Sequence, residues 1–69
     1  MMRWLRLRRM RRAFRALFER DRAIFGSVRF DELDYIETAE LHGCTVDEVT
    51  KTVARVLIAL GRAERGEQP

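Results

Sequence analysis

The side chains best suited to metal chemistry are His42 and Cys44, which flank Gly43. Imidazole and thiolate both bind zinc, but a structural zinc site takes four protein ligands. The chain contains one His and one Cys, so a tetrahedral site of nitrogen and sulfur ligands cannot be completed within one molecule. We therefore expect no metal site, and we expect both residues to be packed in a half-buried position.

Carboxylates are frequent in residues 31–48, and paired carboxylates are the usual acids and bases of enzymes. No accompanying set of nucleophile, base and oxyanion donor is visible, so we expect neither enzymatic activity nor a cofactor. Asp34 and Glu37, and likewise Thr45 and Glu48, instead match the capping-box spacing. In that motif the first side chain caps backbone N–H groups, and the acid lies in the positive first turn of the helix.

Residues 34–60 therefore predict two helices joined by a tight turn, which is a helix-turn-helix. Gly43 suits the turn, because a left-handed backbone would strain a residue with a side chain. The first helix should face inward with Tyr35, Thr38, Ala39 and His42. The second has an apolar stripe roughly 100° wide, composed of Val46, Val49, Val53, Val56, Leu57 and Leu60. Its outward residues Thr50, Lys51 and Arg55 are suited to contact DNA.

The first thirty residues contain ten Arg against two acids, a balance of +8, and residues 31–69 contain four basic residues against nine acids, a balance of −5. Residues 3–18 predict an amphipathic helix whose apolar stripe, roughly 140° wide, comprises Trp4, Leu7, Met10, Phe14, Leu17 and Phe18. Arginines, among them Arg8 and Arg12, lie opposite. This face could be simply solvated, could contact nucleic-acid phosphates, or could lie on a membrane surface.

Residues 19–30 predict a second helix or the continuation of one long bent helix, since no firm helix breaker stands at Phe18 or Glu19. Sixty-nine residues allow one small domain, and the near absence of Pro and of hairpin turn pairs favours an all-α fold. We predict a compact bundle of three to four short helices ending in the helix-turn-helix. The single cysteine fits a reducing cytoplasm, and no apolar run is long enough to span a membrane.

The chain from residue 13 to 63 resembles region four of bacterial RNA polymerase sigma factors of the extracytoplasmic-function type. The resemblance lies in an E-R-x-R-A-hydrophobic-F motif, a short acidic loop and a Tyr-led helix-turn-helix. The matching residues are Glu19, Arg20, Arg22, Ala23, Ile24, Phe25, Tyr35, Glu37, Ala39, Gly43, Thr45, Val46 and Val49. Residues 1–12 are then the Arg-rich start of the first helix, and residues 64–69 form a tail that we expect to be disordered.

The resemblance implies a transcription-associated DNA-binding protein whose last helix lies in the major groove of a promoter, with RNA polymerase as a second partner. Several positions depart from the family. Phe18 replaces a proline, Thr38 and His42 replace buried Ile and Leu, and Cys44 replaces an Ile. Asp47 and Glu48 stand where the second helix would approach DNA, and carboxylates repel phosphates.

Two interpretations follow. In the first, the protein contacts promoter DNA through Thr50, Lys51 and Arg55, with Arg8 and Arg12 of the first helix adding phosphate contacts. In the second, it is a protein-interaction module of the same fold, which binds polymerase, a sigma factor or its own copy, as in a homodimer, without reading DNA. The acids at the head of the second motif helix favour the second interpretation. Binding at a membrane surface is the least favoured alternative.

Overall fold

The computed structural model describes residues 2–66, which form four α-helices. They are α1 (Met2–Ala16), α2 (Glu19–Arg29), α3 (Tyr35–His42) and α4 (Val46–Glu64). The prediction of an all-α bundle of short helices is confirmed. Within residues 2–66, no helix combines the length and the apolar character needed to cross a membrane.

α1 and α2 are separate helices, so the alternative of one long bent helix is wrong. The chain leaves helical geometry at Phe18, whose backbone is extended with φ −58° and ψ 144°. No side chain caps α2, but Glu19 and Asp21 place negative charge in its first turn, where the helix dipole favours it. Phe18 itself is 82% exposed and does not belong to the inward stripe that we predicted for the first helix.

α4 is the helix against which the other three pack. The buried core is a single hydrophobic cluster drawn from α2, α3 and α4, composed of Ile24, Phe25, Ala39, Val49, Val53 and Val56. Phe14 of α1 packs against this cluster, and so does Leu17, which directly follows α1. The Phe14 ring contacts both Phe25 and Phe30 at centroid distances of 6.1 and 6.2 Å, distances typical of favourable aromatic pairs.

Two of the predicted apolar stripes are only partly covered. On α4, Val49, Val53 and Val56 are buried as predicted, whereas Val46 and Leu57 are largely exposed and Thr52 is buried beside the valines. On α1, Trp4 and Leu7 are exposed, at 61% and 48%. Periodicity identifies residues on one face of a helix, but it does not say how far a neighbouring helix extends along that face.

The helix-turn-helix has the predicted local bonds, with one difference. Asp34 and Glu37 form a complete capping box, with bonds of 2.7 and 3.0 Å. Gly43 is left-handed at φ 64°, and Cys44 N–H donates to the Ala39 carbonyl at 3.0 Å, as in a Schellman turn. Only one of the two bonds of the second capping pair forms. Thr45 caps the Glu48 N–H, whereas the Glu48 carboxylate lies beside Arg20 instead of returning to the start of the helix.

Polar side chains occupy part of the interface between α2 and α3. Ser27 is buried and its Oγ lies 2.8 Å from His42 Nε2 and 3.1 Å from the Ala23 carbonyl, to which the hydroxyl donates. The hydroxyl and the imidazole therefore share a hydrogen bond, and the predicted half-buried packing role of His42 includes this bond. Thr38 is fully buried, and its hydroxyl has no hydrogen-bond partner within residues 2–66.

The end of α4 lies further along the chain than the sequence suggests. Gly61 is helical, and the helix continues to Glu64 before Arg65 and Gly66 form a turn. Glu64 Oε1 lies 3.9 Å from Arg6 Nη1, so the end of α4 is close to the start of α1. α4 includes Glu64, the first residue of the predicted tail, and residues 67–69 of that tail lie outside the described residues.

Alanine substitutions at Gly43, in the turn, and at Gly26, in α2, should change the free energy of unfolding in opposite directions. Gly43→Ala places a side chain in the left-handed region and should lower the free energy of unfolding by about 1 kcal/mol. Gly26→Ala adds a methyl group 3.7 Å from Phe30 within helical backbone, so it should raise that free energy by about 0.5–1 kcal/mol. Urea titrations followed by circular dichroism measure both. Equal effects of the two substitutions would contradict the left-handed turn.

Thr38→Val should stabilise the protein by about 1 kcal/mol, because a methyl group replaces a buried hydroxyl that lacks a partner. Thr50→Val is the matched control, since Thr50 is exposed on α4 and such changes stay within about 0.5 kcal/mol. The same urea titrations apply. A loss of stability in Thr38→Val would show that the hydroxyl has a favourable interaction.

Candidate nucleic-acid interface

Thr50 and Lys51 lie on the outward face of α4, as predicted. The Thr50 hydroxyl donates to the Val46 carbonyl at 2.9 Å, one turn earlier in the helix. Lys51 Nζ lies 3.0 Å from Asp47 Oδ2, and both side chains are more than two-thirds exposed. Such an exposed pair within one helix contributes only about 0.3–0.5 kcal/mol. Lys51 can therefore leave Asp47 for a phosphate at little cost.

Arg55 is held more firmly than Lys51. Its Nη2 donates to Asp21 Oδ1 at 3.0 Å and to Thr52 Oγ1 at 3.3 Å. The Asp21 side chain is only 15% exposed, so the loss of its cationic partner would leave a carboxylate poorly hydrated. Arg55 therefore connects α4 to α2 in this structure, and a DNA contact by Arg55 would require this bond to be shared or broken.

A second ion pair connects the same helices, with Arg20 Nη2 3.4 Å from Glu48 Oε2. The two inter-helix pairs and Lys51 border a depression of about 160 Å³. Three cations and three carboxylates, including Asp47, meet on this face. The outward face of α4 near its N-terminus therefore has no excess positive charge with which to attract a phosphate backbone.

Arg8 and Arg12 lie on a face of different character. They border a shallow groove of about 410 Å³ on α1, which we call the arginine groove, lined by Trp4, Leu7, Arg8, Arg11, Arg12 and Arg15. The Arg8 guanidinium lies 5.4 Å from the centre of the Trp4 ring, a cation–π contact that leaves its charge in place. Arg22 Nη1 donates to the Arg15 carbonyl at 2.9 Å, which brings another cation to the end of this helix.

The four arginines of the arginine groove form no ion pair within residues 2–66. Because like charges at successive helical turns repel, this face must be held together by the helix itself and by its packing on α4 and on the rings of Phe25 and Phe30. A polyanion would relieve that repulsion and release its own counterions. The structure thus separates the positive charge that is available for binding, on α1, from the helix-turn-helix.

His42 and Cys44 do not form part of a metal cluster. No group of three or more His, Cys, Asp or Glu side chains with metal-binding proximity occurs in the described part of the chain. His42 contacts Ser27, and Cys44 is a free, half-buried thiol that packs against the core.

Two contacts on this surface were not predicted from the sequence. Asp21 is 34 residues from its partner Arg55, and only the packing of α2 on α4 brings them together. The prediction that Trp4 packs inward while Arg8 lies on the opposite side of the helix is wrong, because Trp4 is exposed and lies beside Arg8, one turn away. The spacing of Trp4 and Arg8 was a usable signal for their contact, since residues four apart are neighbours on a helix.

In comparisons with known proteins, no family model, curated protein or solved structure matches this chain. The structure itself is that of a small all-α bundle in which a tight turn joins α3 to α4.

Asp21→Asn should lower the free energy of unfolding by about 1 kcal/mol, because it removes the charge that Arg55 neutralises between α2 and α4. Asp47→Asn is the matched control and should cost less than about 0.5 kcal/mol, since its pair with Lys51 is exposed. Thermal and urea unfolding of both variants measure the difference. If Asp21→Asn were as stable as Asp47→Asn, the inter-helix connection would be energetically unimportant.

Proposed function

We propose that this protein binds duplex DNA and acts in transcription, with a domain similar to sigma factor region four. The observation that carries the proposal is the set of unpaired arginines on α1 in a chain that also has a helix-turn-helix. Neutralising phosphates releases condensed counterions, and this release provides most of the affinity of non-specific DNA binding. Arg8 and Arg12 are the foremost candidates for these contacts.

In this proposal α4 orients the protein on the duplex and contributes little affinity. Thr50 and Lys51 are exposed near the start of the helix, where helix-turn-helix proteins approach base edges. On binding, Lys51 leaves Asp47 and contacts a phosphate. Arg55 can contact a phosphate as well, but only if its bond to Asp21 is lost. The likeness of residues 13–63 to sigma region four supports a promoter as the DNA target and RNA polymerase as a second partner. The single cysteine supports a cytoplasmic location.

The neutral outward face of α4 favours a second candidate function. With Asp47 and Glu48 at its head and each nearby cation paired, this face suits a protein partner better than a phosphate backbone. The protein would then be an interaction module that binds polymerase, a sigma factor or its own copy without reading DNA.

Fluorescence anisotropy with a labelled random duplex tests DNA binding. The logarithm of the affinity should fall linearly with the logarithm of salt concentration. Arg8→Gln/Arg12→Gln should reduce the size of that slope by about 1.8, which is about 0.9 for each lost phosphate contact. Lys51→Gln should reduce it by less than Arg8→Gln/Arg12→Gln does.

Arg29→Gln/Arg62→Gln is the control, since it removes the same charge from two arginines outside the arginine groove. This variant should keep the slope of the unchanged protein. No binding at low salt would contradict the proposal and favour the interaction module. Equal slopes for the two double variants would show that net charge, not the α1 face, determines binding.

A further inference from the structure

An apolar groove lies next to the arginine groove, between α1 and the ends of α2 and α4. It has a volume of about 270 Å³ and is lined by Leu7, Met10, Arg11, Phe14, Arg15, Phe25, Phe30 and Leu60. Its surface is almost entirely carbon, so the alkyl stems of Arg11 and Arg15 form part of the wall and their guanidinium groups lie at its edge. Cavities of about 150 Å³ hold benzene, so this groove has room for one or two aliphatic side chains.

A surface that combines exposed aliphatic side chains with negative charge lies on α3. Ile36 and Leu41 are 61% and 64% exposed, and Glu37 and Glu40 are exposed between them on the outward side. These four residues, which we call the α3 ridge, combine two aliphatic side chains with two carboxylates. One Glu37 oxygen accepts from the Asp34 N–H, whereas Glu40 is in no ion pair within residues 2–66.

We propose that the α3 ridge of one molecule docks in the apolar groove of a second copy of this chain. Ile36 would enter the groove, and Glu40, one turn later on the same side of α3, would face Arg11. The spacing is compatible, because Ile36 and Glu40 are four residues apart, as are Leu7 and Arg11, and residues four apart lie about 5–6 Å from each other on one face of a helix. Both surfaces are exposed in the same structure, so neither covers the other within one chain.

Electrostatic repulsion disfavours the symmetric alternative, in which the α1 faces of two copies pack together. That arrangement would bring the arginines at positions 8, 11, 12 and 15 of both copies into proximity, with no carboxylate among the groove-lining residues to offset them. The groove and the ridge instead have opposite charge. A contact between two different surfaces does not close on itself as a two-fold dimer does, so it permits growth from copy to copy.

The association should be weak, because one helix face in a short groove buries less than the about 1,200 Å² of a stable complex. It should also weaken with salt, which screens the glutamate–arginine pairs. It does not depend on DNA binding, and its test is done without DNA. Since Arg11 and Arg15 belong to both grooves, assembly and polyanion binding should compete.

Sedimentation velocity at protein concentrations of about 50–500 μM tests the contact. The groove variant is Leu7→Gln/Arg11→Gln, and the ridge variant is Ile36→Gln/Glu40→Gln. All four positions are exposed, and circular dichroism checks that both variants fold. The unchanged protein should grow beyond a dimer as concentration rises, and each variant alone should associate at least about tenfold more weakly.

An equimolar mixture of the two variants is the decisive sample. The intact ridge of the groove variant should dock in the intact groove of the ridge variant, and growth should stop at one-to-one dimers. A monomeric unchanged protein, or variants that assemble as it does, would overturn the proposal. An unchanged protein that stops at dimers, with a mixture that stays monomeric, would show a symmetric interface instead.

Charge exchange provides a second test with smaller changes. Arg11→Glu and Glu40→Arg should each weaken association, and the double variant Arg11→Glu/Glu40→Arg should restore it by reversing the pair. Failure of the double variant to recover, with all three variants folded, would contradict the pairing of these two positions.

Discussion

The packing of three helices on one valine-rich face of α4 is the constraint on which the rest of the structure depends. Val49, Val53 and Val56 are buried there, although β-branched residues do not favour a helix by themselves. The helix is therefore stabilised by its contacts with α1, α2 and α3. The core is small and includes Ser27, Thr38 and Thr52, so stability depends strongly on each contact. The outward face of α4 is consequently constrained as well, because Arg55 and Glu48 take part in its ion pairs with α2.

Because of this constraint, the helix-turn-helix and the arginine groove lie on different parts of the molecule. In the helix-turn-helix, the cations Lys51 and Arg55 are paired with Asp47 and Asp21, each at 3.0 Å. The four guanidinium groups of the arginine groove, which form no ion pair within residues 2–66, lie on α1. Its neighbouring apolar groove and the acidic ridge of α3 give the molecule two complementary surfaces.

Local signals predicted the local structure well. The Asp34 capping box, the Thr45 cap and the left-handed Gly43 each depend on residues within four positions, and each is confirmed. The all-α class followed from composition and periodicity. The break at Phe18 and the exposure of Trp4 could not be predicted in the same way, because they depend on how the helices pack in three dimensions. The pairing of Arg55 with Asp21 likewise depends on tertiary packing, so the sequence alone could not show that Arg55 already has a partner.

The proposed function requires that α1, not α4, provides the positive charge for DNA binding. A titration of the ¹⁵N-labelled protein with a short duplex, followed by NMR of the arginine Nε–H groups, tests this requirement. The Nε–H signals of Arg8 and Arg12 should shift first and most, while that of Arg55 should change little because its side chain stays bonded to Asp21. Early and large shifts of Arg55, with Arg8 and Arg12 unchanged, would contradict this requirement.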